Sequence, residues 1–423
     1  MNRIGFAKRE ITPPVGTELG GYAGYRPCTG VHDPLYCRAV VLEQSGTLYA
    51  LAALDLLCAD ESLCRRIAER AAGLGISRER LVVSAIHSHS APVGVIPGEG
   101  PLAGINRAIL PQAPAFADYM AAVIDAAAEA LAEAAGRLEP FRVRSSRGPL
   151  PPIGSERHTG APACGSLTVV QCRTDSGRDL LLYHFPCHPT VMSPANLLVS
   201  ADLAGGIEAL LDADIAVFLN GAAGDISTRF TRRESSFAEC ARMGAMAAEA
   251  IRSLVEGQPF SDPAPLHGFS ADLTLEARRV EPEESARRQL EEATARWKQA
   301  ETDGADAGAL RILKSYVEGA GVNLEFSQTM GNLRQLTLPV RVFRFAGIHF
   351  VTVPGELYST LLPREAAPVC YANGYYRYIA DQGAYDAGHY EALAAILARG
   401  QGEILKEKIQ QLLDQLQQQE VTL

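Results

Sequence analysis

Short apolar runs of strand length alternate with longer stretches in which apolar residues recur every three or four positions. Strand-like runs lie at Thr47 to Leu56, Leu81 to Ile86, Leu167 to Cys172, Leu180 to Phe185 and Ala213 to Leu219. Helical spacing marks Glu61 to Leu74, Ala115 to Ala135 and Phe237 to Glu256. This alternation predicts an α/β fold, a mixed β-sheet core flanked by helices on both faces. A single domain over residues 1–423 is the expected organisation, at a length that would also hold two. Two segments leave the pattern. Glu281 to Gly319 (281–319) is rich in Glu, Arg, Ala and Gln with a break at Gly304, and predicts an inserted, charged helical hairpin. Ile404 to Glu420 (404–420) predicts an amphipathic C-terminal helix. Both read first as solvated faces, with subunit pairing into a homo-oligomer, or a lid over a site, as the sharper alternative.

The candidate chemistry sits where the apolar runs stop. Leu81 to Pro92 ends in His87-Ser88-His89, and side chains two apart on an extended chain share one face. Imidazole is a favoured zinc ligand, and strand ends are where α/β proteins place their sites. Taken alone, the pair fits a solvated loop equally well. Asp179 to Thr190 repeats the pattern, with His188 locked between Pro186 and Pro189, and Gly347 to Glu356 is a third strand, delivering a carboxylate. Three strand ends thus offer His, His and Glu, although a surface glutamate is the ordinary reading of Glu356 by itself.

Composition narrows the setting. With 47% apolar and 21% charged residues a large core is feasible, and a formal charge of -10 argues against a nucleic-acid surface. The nine cysteines show no zinc-ribbon or C-x-x-C spacing and read as reduced thiols. Met1 to Ala7 lacks a signal-peptide core, and no apolar run approaches the ~20 residues of a membrane span. A cytoplasmic, soluble protein is expected.

Ordered blocks along the chain carry a resemblance. They are Ile11-Thr12-Pro13-Pro14-Val15-Gly16, Gly21-Tyr22-Ala23, His32 to Ala39, Leu54-Asp55-Leu56, His87 to Pro92, His188-Pro189-Thr190, Ser200 to Gly205, Phe218 to Ser227, Pro354-Gly355-Glu356, Asn373 to Tyr378, Tyr385 and Tyr390-Glu391. To about Leu393 the chain resembles the catalytic domain of the neutral/alkaline non-lysosomal ceramidase family. The resemblance implies His87, His188, Glu356 and Tyr378 as zinc ligands, the last a phenol whose pKa of ~10 the metal must lower. It implies His89 as a proton carrier or oxyanion partner and Arg157 as the residue that polarises the substrate, in Glu156-Arg157 where the family usually has Asn-Arg. Ser227 matches a serine once proposed as nucleophile, yet no base for it is visible and a substrate-binding or supporting role is expected. Gly221 to Asp225 is expected to bring backbone amides to a ligand, or simply to make a tight turn. Asp225 and Asp202 are expected to orient ligating histidines, or to cap helices.

The expected activity is that of a zinc-dependent amidase. Zinc would activate a water and polarise the scissile carbonyl of a small N-acyl substrate, while His89, Arg157 and Tyr378 steady the oxyanion. Hydrolysis of an ester or glycoconjugate on the same scaffold, or metal binding without turnover, are the alternatives. The family's added immunoglobulin-like domain has no counterpart in this chain, so a short or polar acyl amide is expected rather than ceramide.

Overall fold

A computed structural model describes residues 2–100 and 115–422. Strands β1 (Arg3–Glu10), β2 (Tyr36–Gln44), β3 (Thr47–Leu54), β4 (Leu81–Ala85), β5 (Glu139–Gly148), β6 (Leu167–Thr174), β7 (Asp179–Phe185) and β8 (Ile215–Asn220) form one sheet, ordered β8-β7-β6-β5-β1-β2-β3-β4. Only the outermost pairs, β3 with β4 and β7 with β8, run parallel. Parallel neighbours need a crossover. Helix α1 (Glu61–Ala72) joins β3 to β4, α2 (Ala115–Gly136) precedes β5, α3 (Asp202–Glu208) lies between β7 and β8, and α4 (Phe237–Val255) follows β8. Polar side chains start these helices, since Asp60 accepts from the Leu63 amide and Ser236 from the Glu239 amide. Along β1, Gly5 and Ala7 face α2 while Ile4 and Phe6 face the other way. A Cβ at Gly5 would lie 2.0 Å from the Ala134 carbonyl, so only glycine lets α2 pack this closely.

The other face of the sheet packs on a second one. Strands β9 (His267–Glu276), β10 (Gln335–Phe345), β11 (Ile348–Thr352) and β12 (Ala366–Val369) are ordered β9-β10-β11-β12. Phe6, Val40, Val217 and Leu219 of the large sheet share a buried cluster with Phe345, Phe350 and Val369 of the small one. Between β9 and β10 runs the hairpin of α5 (Glu283–Thr302) and α6 (Ala307–Thr329), and α7 (Gln401–Thr422) buries Leu405, Ile409, Leu413 and Leu416 beside the small sheet. The β core therefore has helices on both faces, as the pattern predicted, but it consists of two stacked sheets. The hairpin turns at Gly304 as expected and runs ten residues past Gly319, to Thr329.

The large sheet curls until its edges approach. Asn220 at the end of β8 donates from Nδ2 to the Ile86 carbonyl just beyond β4, at 3.1 Å. Cys370 to Asn373 seals the seam: Cys370 N donates to Asn220 O at 2.9 Å, Ala85 N to Tyr371 O at 3.1 Å, and Asn373 N to Val83 O at 2.7 Å. Chain ends that a flat sheet would hold far apart thus meet over one spot. No helix among the described residues is long and apolar enough to cross a membrane.

Candidate active site

His87 stands two residues beyond β4 with φ of 70°, so the backbone kinks there into the left-handed region. This corrects the shared-face argument for His87 and His89. Their rings meet at 82° with the two Nε2 atoms 3.4 Å apart, brought together by a turn rather than by strand alternation. The kink also carries His87 Nδ1 to within 2.7 Å of the Leu57 carbonyl. A carbonyl only accepts, so Nδ1 holds the proton, and in the neutral ring Nε2 presents a lone pair.

His188 is fixed in the same way. Its Nδ1 lies 2.5 Å from Ala223 O and 3.1 Å from Ile226 O. The Gly221 to Asp225 loop therefore offers carbonyls to an imidazole. Two of its amides are used within the protein, Gly224 N on Leu357 O at 2.8 Å and Gly221 N on Phe185 O at 3.1 Å, as in the tight turn that is the alternative reading of this stretch. Burial first, and then nearby Arg157, lowers the His188 pKa to about 4.

Glu356 completes the cluster. Residues Glu356–Leu357 pair in parallel with Tyr378–Ile379, which sets Glu356 beside Tyr378. A Cβ on Gly224 would come 2.7 Å from the Glu356 carbonyl, so the carbonyl-bearing loop lies directly against this strand. Glu356 Oε2 is 3.0 Å from His188 Nε2 and 3.3 Å from His87 Nε2, while Oε1 accepts from the Tyr375 hydroxyl at 2.6 Å. Burial pushes this carboxyl up, but His87 and His188 outweigh it and hold it well below the usual carboxylate range.

The donor chemistry of this group tests whether it fits a cation. With both Nδ1 protons committed to carbonyls, two imidazole lone pairs and a carboxylate oxygen face one another, an arrangement that repels itself unless a positive charge sits between. Ligands ~2.0 Å from a tetrahedral zinc lie about 3.3 Å apart, which matches the observed separations. The residues fit a divalent metal. His89 also belongs to a cluster with His87 and His188 in which one ring nitrogen of each lies within 4.8 Å of the others. It differs in that its buried Nδ1 has no partner. Gly21, at φ of 87°, lies against that ring, where a Cβ would meet Nδ1 at 2.4 Å, and Tyr22 sits edge-on at 4.7 Å. Burial, then His87 and His188, lowers the His89 pKa well below 6.5, so the ring is neutral at neutral pH.

Arg157 and Tyr378 form the adjoining wall. Arg157 Nη1 donates to Glu391 Oε1 at 2.9 Å and approaches the Tyr378 hydroxyl at 3.4 Å. Glu391 Oε2 accepts from His158 Nε2 at 3.0 Å and from the Tyr358 hydroxyl at 3.2 Å. Burial first, then the Glu356 carboxylate, raises the Tyr378 pKa well above 10, so its hydroxyl stays protonated unless a cation offsets both. His158, His389 and Glu391 also cluster, but the two rings stack 3.7 Å apart at 11°. Within this group Glu391 is the member that holds Arg157, with His158 bonded to the same carboxylate.

Ser227 is buried, and its Oγ accepts from the Arg229 amide at 3.4 Å. Among the described residues no imidazole or carboxylate hydrogen-bonds to that oxygen. The expected orienting role of Asp225 and Asp202 is also corrected. Asp225 accepts from the amide and hydroxyl of Ser359, both at 2.7 Å, and Asp202 from the Val191, Met192 and Leu203 amides at 3.0, 2.9 and 2.7 Å. They brace the chain around the histidines, while main-chain carbonyls take the ring protons. Sequence reasoning assigned no role to Glu391 or Tyr375, although both stand in or beside the blocks that carried the resemblance.

No protein-family model matches this sequence, and no curated protein matches it significantly. Among solved structures, the crystal structure of neutral ceramidase from Pseudomonas aeruginosa superposes with a TM-score of 0.75 at 16% identity, covering 97% of this chain and 74% of that one. The chain has the neutral ceramidase fold. A ceramidase complexed with C2 gives a TM-score of 0.72 at 16% identity, covering 99% of this chain and 75% of the other. The likeness to the ceramidase structures thus takes in almost the whole chain.

Proposed function

We propose that this protein is a zinc-dependent hydrolase that cleaves an N-acyl amide, with His87, His188 and Glu356 holding the metal and the Tyr378 hydroxyl beside it. The observation that carries the reading is the convergence of two imidazole lone pairs and a carboxylate whose remaining polar atoms are already satisfied. Bound there, zinc supplies Lewis acidity toward a carbonyl and lowers the pKa of a water. The chain's own groups do the rest. Neutral His89 has an Nε2 lone pair able to take a proton from the attacking water, and it returns that proton to the amine nitrogen as the C–N bond breaks. Arg157 and the Tyr378 hydroxyl stand where charge develops on the carbonyl oxygen. The small, water-soluble N-acyl substrate inferred from the sequence is part of this proposal. Elemental analysis of the purified protein, together with a screen of acyl amides, esters and glycosides, tests it. One zinc per chain with amide hydrolysis is the expected result, and turnover of esters or glycosides alone overturns the amidase assignment.

Two further outcomes follow from the wall of the site. Ser227→Ala should keep measurable activity, and hydrolysis in ¹⁸O-water should proceed without a trappable acyl-serine, because among the described residues no base hydrogen-bonds to Ser227 Oγ to take its proton. An acyl-serine caught by mass spectrometry would reverse this. Glu391→Gln should lower kcat on the order of 10²-fold, with KM and zinc content little changed, since it frees the buried guanidinium that faces the carbonyl oxygen. A rise in KM alone would instead assign Glu391 to substrate binding.

A further inference from the structure

Many arginines of this chain are neutralised by a carboxylate. Arg3, Arg65, Arg70, Arg173, Arg242 and Arg399 each hold a carboxylate. Two arginines beside the metal centre bond to main-chain carbonyls instead. Arg229 is solvent-exposed, two residues beyond Ser227, and its Nη1 donates to the main-chain carbonyl of Arg157 at 3.1 Å. Arg232 is half-buried and donates to the carbonyl of Thr190, two residues beyond His188. Among the described residues neither forms a salt bridge to a carboxylate.

More positive charge closes in on the same place. Arg311, projecting from α6 of the helical hairpin, lies near enough to act on both Arg229 and Tyr22. Besides partial burial, the nearby Arg157 and Arg311 charges oppose that of Arg229 and lower its pKa. The nearby carboxylates are largely committed. Glu391 is bound to Arg157 and His158, Asp202 to three amides, and Glu318 sits 3.8 Å from Arg311 itself. Phe230 adds an exposed apolar ring next to Arg229. In a chain of formal charge -10, Arg229 and Arg232 thus bring positive charge to this wall with no carboxylate paired directly to either among the described residues.

We propose that the substrate balances it: the N-acyl compound cleaved at this site carries an oxyanion, a carboxylate or a phosphate, which Arg229 binds with Arg232 and Arg311 in support. This inference rests on the hydrolase reading and narrows its substrate class. A charged hydrogen bond from a guanidinium to such a group is strong and directional, and the exposed edge of Arg229 leaves room for it. Neutral amides lack the group that would occupy this wall.

The test compares matched substrates: an N-acyl glycine against its glycinamide, and an N-acyl phosphoethanolamine against the N-acyl ethanolamine. The zinc-loaded enzyme should favour the anionic member of at least one pair by about 10-fold or more in kcat/KM, and the pair that shows it names the oxyanion. That ratio should fall several-fold in Arg229→Gln and further in the double variant with Arg232→Gln, while Arg252→Gln, on the distant face of α4, should leave it unchanged. Melting temperature and zinc content of the variants establish that they are folded and loaded. Equal kcat/KM within both pairs overturns the proposal, as does a ratio that survives the double variant or falls equally in Arg252→Gln. If none of the four compounds is cleaved, the hydrolase reading fails separately. Calorimetric binding of the same compounds then decides, with tighter, Arg229-dependent binding of an anion upholding the oxyanion site and equal binding removing it.

Discussion

His188→Ala should leave the protein with far less than one zinc per chain and with hydrolysis at background. The imidazole supplies one of three lone pairs that converge, with Glu356 Oε2 3.0 Å from His188 Nε2 and 3.3 Å from His87 Nε2, and the survivors, His87 Nε2 and Glu356 Oε2, cannot enclose a cation between them. The substitution does more than delete a ligand. Ala223 O and Ile226 O lose the ring N–H they accept, though each keeps a main-chain donor, the amides of Ile226 and residue 188 at 3.1 Å, so the cost is that of one hydrogen bond, about 0.5–1.5 kcal/mol. Melting temperature should therefore fall with metal content. Elemental analysis after gel filtration is the decisive measurement, and a full equivalent of zinc retained by the variant would falsify the placement of His188 at the metal.

His89→Ala should separate metal binding from turnover. Its Nε2 lies 3.4 Å from His87 Nε2, but its Nδ1 is buried without a partner, unlike those of the two proposed ligands. Removing the ring breaks no hydrogen bond at Nδ1, so the variant should fold and hold zinc. Turnover should fall on the order of 10²–10⁴-fold, the range for loss of a general acid or base. Zinc lost in step with activity would make His89 a ligand. Activity retained would take it out of the reaction.

Much of this architecture was legible in the chain because apolar periodicity reports burial directly. Helix α1 begins at Glu61 and α4 at Phe237, as the spacing indicated, and β4 begins at Leu81. The second sheet was less visible, since β9 alternates between exposed and half-buried positions and so lacks the continuous apolar run of a strand covered on both sides. The gathering of His87, His188 and Glu356 was readable as three strand ends, yet not the reason they meet. That reason is the curl which brings β8 to β4 through Asn220, a long-range closure that local spacing does not encode. The kink at His87 was hidden for a related cause: its positive φ is held by tertiary contacts with Leu56 and Leu57, where the residue type itself suggests none. Glu391 is silent in the sequence because a carboxylate reveals its use only through partners more than 200 positions away, Arg157 and His158.

The carbonyls that take the ring protons of His87 and His188 belong to the main chain, and a main-chain oxygen has no side chain to exchange. Where a carboxylate orients a ligating imidazole, one substitution retunes its basicity. Here Leu57, Ala223 and Ile226 can change identity without altering the acceptor they present. Drift in sequence around the centre is thereby decoupled from its electronic character, and new specificities can accumulate on the arginine-lined wall while the ligand geometry stays constant. The same design makes the centre vulnerable to motion. Opening the 223–226 turn would release the His188 proton and the cation together, so amide exchange in that turn should slow markedly when zinc is added.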